Sequence, residues 1–250
     1  MLSNVKYIAR KVPEITVFFW ITKILTTAWG ESTSDYLVHH INPVTAVILG
    51  GIFFVTSLIV QFWVRRYIAW IYWLAVALVA LFGTMTADVV HIVLGVPYAI
   101  STIFFAIVLA IVFVVWFRFE KTLSIHSINT LRRELFYWIT IVTTFALGTA
   151  AGDMTAITLN LGYLASGFLF GALFALPLTA FRIFSIDEVL AFWAAYIFTR
   201  PFGASFADWF GRTPDFGGIG FGTGKTSVVL ATLIILFVGY LAITRKDIKN

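Results

Sequence analysis

Cysteine is absent from this chain of 250 residues. Disulfides, thiolate metal sites and thiol nucleophiles are excluded together, and the redox compartment stays undetermined. Charge is scarce as well. Asp, Glu, Lys and Arg make up 12% of the residues, about half the share of about 25% carried by water-soluble domains. Apolar residues fill the gap, at 60% of the chain with a mean hydropathy of +0.96. That composition points to an integral membrane protein with no separate soluble domain. The first fifteen residues hold Lys6, Arg10, Lys11 and Glu14 with no Ala-x-Ala-like site behind a short apolar core, so no removable signal peptide is expected. The net charge of +5 is read by position, since basic residues in a membrane protein mark its cytoplasmic side rather than a nucleic-acid surface.

Six stretches lack any Asp, Glu, Lys, Arg or His: residues 41–64, 67–87, 92–117, 135–152, 154–181 and 226–244. A helix needs about 20 residues to cross a bilayer. Two more apolar segments, starting near Ile15 and Val189, have span-like length and are interrupted by Lys23 and Arg200. Eight spans are therefore expected. Thirteen of the 17 basic residues fall in the termini or after even-numbered spans, among them Lys6, Arg65, Arg66, Arg118, Arg132, Arg133, Arg182, Arg245 and Lys249. Only Arg212 and Lys225 lie on the other side, which predicts cytoplasmic termini. The glycine-rich connection around residues 210–225 reads as a mobile outer loop.

One spacing recurs four times: a Trp, a Gly ten residues on, and an Asp five residues after that. The copies are Trp20, Gly30, Asp35; Trp73, Gly83, Asp88; Trp138, Gly148, Asp153; and Trp193, Gly203, Asp208. Each opens on an odd-numbered span and is followed by an even one, so the expected unit is a helix hairpin. Two spans per unit keep every copy in one orientation, with a pseudo-symmetry axis along the membrane normal. The chain is a single membrane domain, 1–250, with copies at about 12–66, 67–131, 132–184 and 185–250. The fold class is all-α, eight transmembrane helices in four tandem parallel hairpins.

In this pattern the chain resembles bacterial integral membrane proteins built of four tandem two-helix repeats of unknown function, each with a characteristic Trp. The resemblance covers nearly the whole chain and implies an eight-helix fold in the bacterial inner membrane, with no substrate or mechanism attached. The copies differ in detail: Pro201 precedes Gly203 only in the fourth, and Glu31 follows Gly30 only in the first.

At 1.5 Å per residue, the aspartates stand about 30 Å from the inner helix ends, near the outer edge of the hydrocarbon. If the odd helices face inward, Asp35, Asp88, Asp153 and Asp208 form a carboxylate ring for cations or protons. The competing reading makes each Gly-x4-Asp a helix end, with Asp capping the next segment. Lys23, Arg200 and Glu31 are charges that modulate such a ring; the alternative is that the two bases snorkel or pair with a neighbouring helix for packing. His39 and His91 follow Asp35 and Asp88 by four and three residues. On a continuous helix each pair shares a face and suits Mn, Zn, Fe, Co or Ni, unless they are ordinary loop histidines. The four Trp residues lie at aromatic-belt depth and read as interfacial anchors, with cation–π contact the second option. Gly50, Gly51, Gly167 and Gly171 have the spacing of close helix packing.

Enzymatic signatures are thin. Gly224, Lys225 and Thr226 end a P-loop-like run, but Ile219 stands where its first Gly is needed. Paired aspartates also serve intramembrane proteolysis, yet no second catalytic signature accompanies them, so no enzymatic activity and no resident cofactor are expected. The reading is a transporter or channel for a cation, a divalent metal ion among the candidates, with proton coupling through the aspartates. Its partners are the lipid bilayer and a small cation or proton, not nucleic acid, and homo-oligomerisation is left open. The alternatives are a proton-coupled exporter of organic cations and a membrane scaffold that transports nothing.

Overall fold

The computed structural model of the protein describes residues 10–248; Lys6 and Lys249 lie outside them. Eight long helices follow one another: α1 (Val17–His40), α2 (Pro43–Trp63), α3 (Ala69–Asp88), α4 (Tyr98–Glu120), α5 (Leu131–Asp153), α6 (Gly162–Phe184), α7 (Glu188–Gly211) and α8 (Thr223–Thr244). No strand occurs among the described residues. Six of the helices, all but α1 and α7, are long and apolar enough to cross a membrane. Helices α1 and α7 are as long, at 24 residues each, and hold the charges Lys23, Glu31 and Asp35, and Glu188, Arg200 and Asp208.

Helix starts follow from local chemistry. Thr16, Asn42, Thr130 and Asp187 accept backbone N–H groups of the first turns of α1, α2, α5 and α7, satisfying donors that have no partner within the helix. Pro43 sits at the start of α2, where its missing N–H costs nothing. Buried threonines bond back to their own helix: Thr84 to the Ala80 carbonyl at 3.0 Å, Thr149 to Phe145 at 3.0 Å, Thr140 to Phe136 at 2.8 Å. Their hydroxyls therefore tolerate an apolar surround.

The odd helices make a closed ring, α1 on α3, α3 on α5, α5 on α7 and α7 on α1. The even helices lie outside, each chiefly on the odd helix of the following copy: α2 on α3, α4 on α5, α6 on α7, and α8 back on α1. The two helices of one copy are thus not the pair that packs most closely. Outer faces carry exposed apolar side chains such as Ile52, Phe104 and Leu236.

Two layers of contact hold this ring, and both run cyclically through the copies. The first is aromatic. The residue before each Trp meets the Trp of the next copy: Phe19 with Trp73 at 5.6 Å between centroids, Tyr72 with Trp138 at 5.9 Å, Tyr137 with Trp193 at 6.2 Å, and Phe192 with Trp20 at 5.6 Å. Trp73, Trp138 and Trp193 are only 1–4% exposed, and Trp20 is half-buried. The expectation of interfacial anchors is corrected: the rings turn inward, where each gains apolar burial and edge or tilted contacts that a headgroup layer does not supply. The second layer is made by the repeat glycines. A Cβ on Gly30 would lie 2.5 Å from the Ala80 Cβ, on Gly83 2.9 Å from the Phe145 Cβ, on Gly148 2.6 Å from the Arg200 Cβ, and on Gly203 3.0 Å from the Thr27 Cβ. Each partner stands three residues before the next copy's glycine. Because both layers join equivalent residues, the four odd helices run parallel and in register.

Gly30→Ala should therefore cost about 1–3 kcal/mol by overpacking, because the Ala80 and Leu81 backbone blocks any retreat. Gly152→Ala, in the same ring with its nearest neighbour 3.7 Å away, should be neutral or stabilise by about 0.5–1 kcal/mol. Thermal unfolding in detergent separates the two, and equal shifts would contradict the packing argument.

Residues 10–16 close the Trp end. The Tyr67 amide donates to the Arg10 carbonyl (3.0 Å), the Lys11 amide to Ile128 (3.4 Å) and the Glu14 amide to Asp247 (2.9 Å). Lys11 Nζ lies 2.5 Å from Glu134 and donates to the Phe62 carbonyl at 3.1 Å, while Gln61 donates to the other Glu134 oxygen at 3.1 Å. One short segment thus ties together the α2–α3 and α4–α5 connections and the residues after α8. At the Asp end, residues 212–222 are not the loose loop expected. Ile219, Phe221 and Gly220 amides donate to the Trp209, Phe210 and Arg212 carbonyls at 2.8–3.0 Å, folding the connection back onto α7.

Candidate functional site

The ring axis carries charge. Arg200, fully buried, extends from α7 so that its Nη2 lies 2.5 Å from Glu31 on α1, 2.6 Å from Thr84 on α3 and 2.7 Å from Thr149 on α5. All four odd helices meet at this one nitrogen. Glu31, Thr84 and Thr149 each directly follow their copy's glycine, and the fourth copy places Ala204 there. The polar layer is therefore the repeat pattern read one residue past Gly in three copies, completed by a base from the fourth. Arg200 is a partner of neighbouring helices, as one of the two sequence readings had it.

On the Asp side of this layer stand the aspartates. Arg212 Nη2 lies 3.1 Å from Asp35 and its Nε donates to Asp208 at 2.9 Å, so one guanidinium bridges the first and fourth copies. Glu31, Asp35 and Asp208, all buried, bring carboxylate oxygens within 4.8 Å of one another. Asp153 is buried and Asp88 half-buried, and both carboxyls feel the charge of Glu31. Neither has a salt bridge or side-chain hydrogen bond among the described residues. None of the four aspartates caps a following segment: α1 and α7 run on past Asp35 and Asp208, and Asp88 and Asp153 lead into wide π-helical turns, Val89–Val93 and Met154–Thr158, without a side-chain cap. Such turns interrupt regular helix packing and are frequent at functional sites.

Lys23 lies on the Trp side of the layer. Its Nζ is buried without a hydrogen-bond partner, 4.0 Å from the Phe145 ring centroid and 4.4 Å from that of Tyr196. It does not snorkel. Phe145 also faces the Arg200 guanidinium at 5.6 Å, which sets an aromatic ring against both bases. Five carboxyls (Glu31 and the four aspartates) and three bases (Lys23, Arg200, Arg212) make up the axial group, for a net charge of −2 when every group is ionised. Burying an imbalance of that kind with every group ionised is costly.

The histidines stand apart. His39 Nδ1 is 2.6 Å from the Asp35 backbone carbonyl, not its carboxylate. His91 Nδ1 is 3.0 Å from the Val96 carbonyl and its Nε2 3.3 Å from Ser101, with the ring against Tyr98. The expected Asp–His faces are replaced because the π-helical turn after Asp88 breaks the α-helical register that the spacing assumed, and because His39 turns back on its own helix. Among the described residues, the group that could hold a metal ion is all-oxygen: Glu31, Asp35 and Asp208. Gly50 and Gly51 seat Met85 and Phe82, and Gly167 and Gly171 seat Phe206 and Phe202, so these four glycines serve packing. The sequence reading missed Thr84, Thr149 and Arg212. The first two were available as polar residues directly after the repeat glycine, and the third as a base four residues after Asp208.

No curated protein and no solved structure matches the chain. A family profile described as Repeat of Unknown Function (DUF347) matches at residues 18–67, 71–122, 136–185 and 191–247. Each match contains one Trp–Gly–Asp copy, in agreement with the resemblance drawn from that spacing. With four tandem matches over most of its length, the chain belongs to the family Repeat of Unknown Function (DUF347).

Proposed function

We propose that this protein carries a cation across the bacterial cytoplasmic membrane in exchange for protons, as one eight-span domain with both termini cytoplasmic and its pseudo-symmetry axis along the membrane normal. In this reading α1 and α7 also cross the membrane. Their charges turn to the ring axis and not to lipid, which is where ionisable groups in spans belong. The observation that carries the reading is the axial group with more carboxyls than bases, in which Asp88 and Asp153 have no basic partner among the described residues.

Oxygen-only donors suit hard divalent ions of the Mg²⁺, Ca²⁺ or Mn²⁺ kind better than soft ones. To reach Glu31, Asp35 and Asp208, such an ion must displace Arg212 from its two aspartates. Arg212 stands at the α7 terminus with its side chain 29% exposed, free to withdraw toward the Asp end, so it acts as a tethered competitor. Phe145 with Lys23, the aromatic layer and residues 10–16 close the path on the other side. Transport then needs these to part after the outer group has filled, and proton binding at Asp88 and Asp153 resets the charge. The organic-cation reading is weaker, because the aromatic layer is packed on itself and Lys23 lies between it and the carboxylates. A scaffold that only packs would not require buried charge on its axis. No enzymatic step or resident cofactor enters this reading.

The test is reconstitution of the full chain in liposomes loaded with a pH-sensitive dye, challenged with Mn²⁺, Mg²⁺, Ca²⁺, Zn²⁺ and a lipophilic organic cation. A hard divalent ion should drive proton movement above that of protein-free vesicles. Movement driven by the organic cation alone would favour the exporter, and no movement under any gradient would remove the transport reading.

A further inference from the structure

At the Trp end, α3 and α8 part to leave a cleft of about 700 Å³. Three arginines line it, Arg10, Arg66 and Arg245, above an apolar floor that includes Trp70, Ala242 and Ile248. Trp70 is 45% exposed, so the floor is continuous with the outward-facing surface of the helices. Two carboxylates also line the cleft, and both are engaged. Glu14 pairs with Arg10, and Asp247 accepts the Tyr67 hydroxyl at 2.5 Å. Burial pushes the Asp247 carboxyl above its ordinary range, which weakens it further as a rival anion. Arg66 and Arg245 are exposed and have no carboxylate partner among the described residues.

The repeat supplies an internal comparison. Two copies away, α4 and α7 frame an equivalent cleft of about 550 Å³, again with an apolar floor that includes Phe113, Phe117 and Leu190. There the charged residues are Lys121 and Asp187, and Asp187 is committed to the first turn of α7, accepting the Leu190 amide at 2.9 Å. The pair of free guanidinium groups is thus not repeated in the equivalent seam.

We infer that the α3–α8 cleft binds an anionic phospholipid, its phosphate held by Arg66 and Arg245 and an acyl chain laid along Trp70 and Ala242. The inference rests on the membrane-embedded part of the reading above and not on transport. A guanidinium fork matches phosphate oxygens two at a time, and basic pockets between helices on the cytoplasmic side recognise anionic headgroups. A zwitterionic lipid brings its own cation and gains less from the two arginines. Free phosphate lacks the chain that would occupy the floor.

The test is thermal unfolding of the full chain in a neutral detergent, with added phosphatidylglycerol, phosphatidylcholine or inorganic phosphate. Phosphatidylglycerol should raise the unfolding temperature by several degrees over phosphatidylcholine, through preferential binding to the folded state, and inorganic phosphate should not. The Arg66→Gln/Arg245→Gln variant should lose that shift while unfolding near the wild-type temperature in phosphatidylcholine; Lys121→Gln, in the comparison cleft, should keep it. If the double variant folds poorly, co-purified phosphatidylglycerol on each single variant, read by native mass spectrometry, should fall below the wild-type level. An undiminished shift or undiminished retention overturns the assignment, and a matching shift from inorganic phosphate reduces the site to an anion site without a lipid. A chain that stays monodisperse without detergent would instead defeat the membrane reading on which the inference rests.

Discussion

Arg200→Met is expected to destabilise the protein by about 3–5 kcal/mol, the cost of leaving one member of a buried ion pair alone. The carboxylate left behind is Glu31, 3% exposed and paired with Arg200. Thr84 and Thr149 lose the same partner without penalty, because each already bonds to a carbonyl of its own helix at 3.0 Å. The cost should therefore be concentrated on Glu31, and Glu31→Leu in the Arg200→Met background should restore most of it, since a buried pair replaced by apolar side chains of similar volume is often neutral or better. Removing Arg200 also relieves its repulsion of Lys23, whose Nζ has no compensating carboxylate. Unfolding temperatures of the two single variants and the double, in one detergent, give the coupling directly. Additive losses would mean that Glu31 and Arg200 do not act as a pair.

Much of this arrangement was legible because the four copies must satisfy the same local demands. A glycine is required wherever the next copy's helix comes within a Cβ of the backbone, so Gly30, Gly83, Gly148 and Gly203 recur at one spacing, and the aspartates recur with them. What the spacing could not convey is which face of each helix turns inward. On a helix that is apolar all round, no polar side marks the outside, so the depth of Trp73 or Trp138 fits a lipid interface and a buried layer equally. The discriminating signal was the aromatic residue before every Trp, at Phe19, Tyr72, Tyr137 and Phe192, which is more than an interfacial anchor needs. The histidines failed for a different reason. Their pairing with Asp35 and Asp88 assumed unbroken α-helix, and neither the π-helical turn after Asp88 nor the turn of His39 to its own helix carries a sequence mark. Arg212 reads from the sequence as an outer-side charge, and it does stand just past the end of α7. What the sequence did not mark is that, four residues after Asp208, its side chain turns back to tie two copies together.

Asp88→Asn and Asp153→Asn should each reduce cation-driven proton flux in liposomes to the level of protein-free vesicles. Asn keeps the shape of the side chain and removes its proton site. Neither aspartate holds a salt bridge or a side-chain hydrogen bond among the described residues, so no native pairing is lost and folding should survive, as an unchanged unfolding temperature would verify. Asp35 and Asp208 are poorer subjects for this test, because each is bound to Arg212 and its replacement also frees that base. Arg212→Gln should act in the opposite sense: with the tethered competitor gone, the half-saturating cation concentration should fall about tenfold, the equivalent of about 1.4 kcal/mol. The two effects together separate proton exchange at Asp88 and Asp153 from cation binding at Glu31, Asp35 and Asp208. If both Asn variants transport at the wild-type rate with an unchanged pH profile, the unpaired carboxyls are packing residues and the coupling lies elsewhere. If Arg212→Gln leaves the concentration dependence where it was, the cation does not enter by displacing the guanidinium, and the three-carboxylate group is not its binding site.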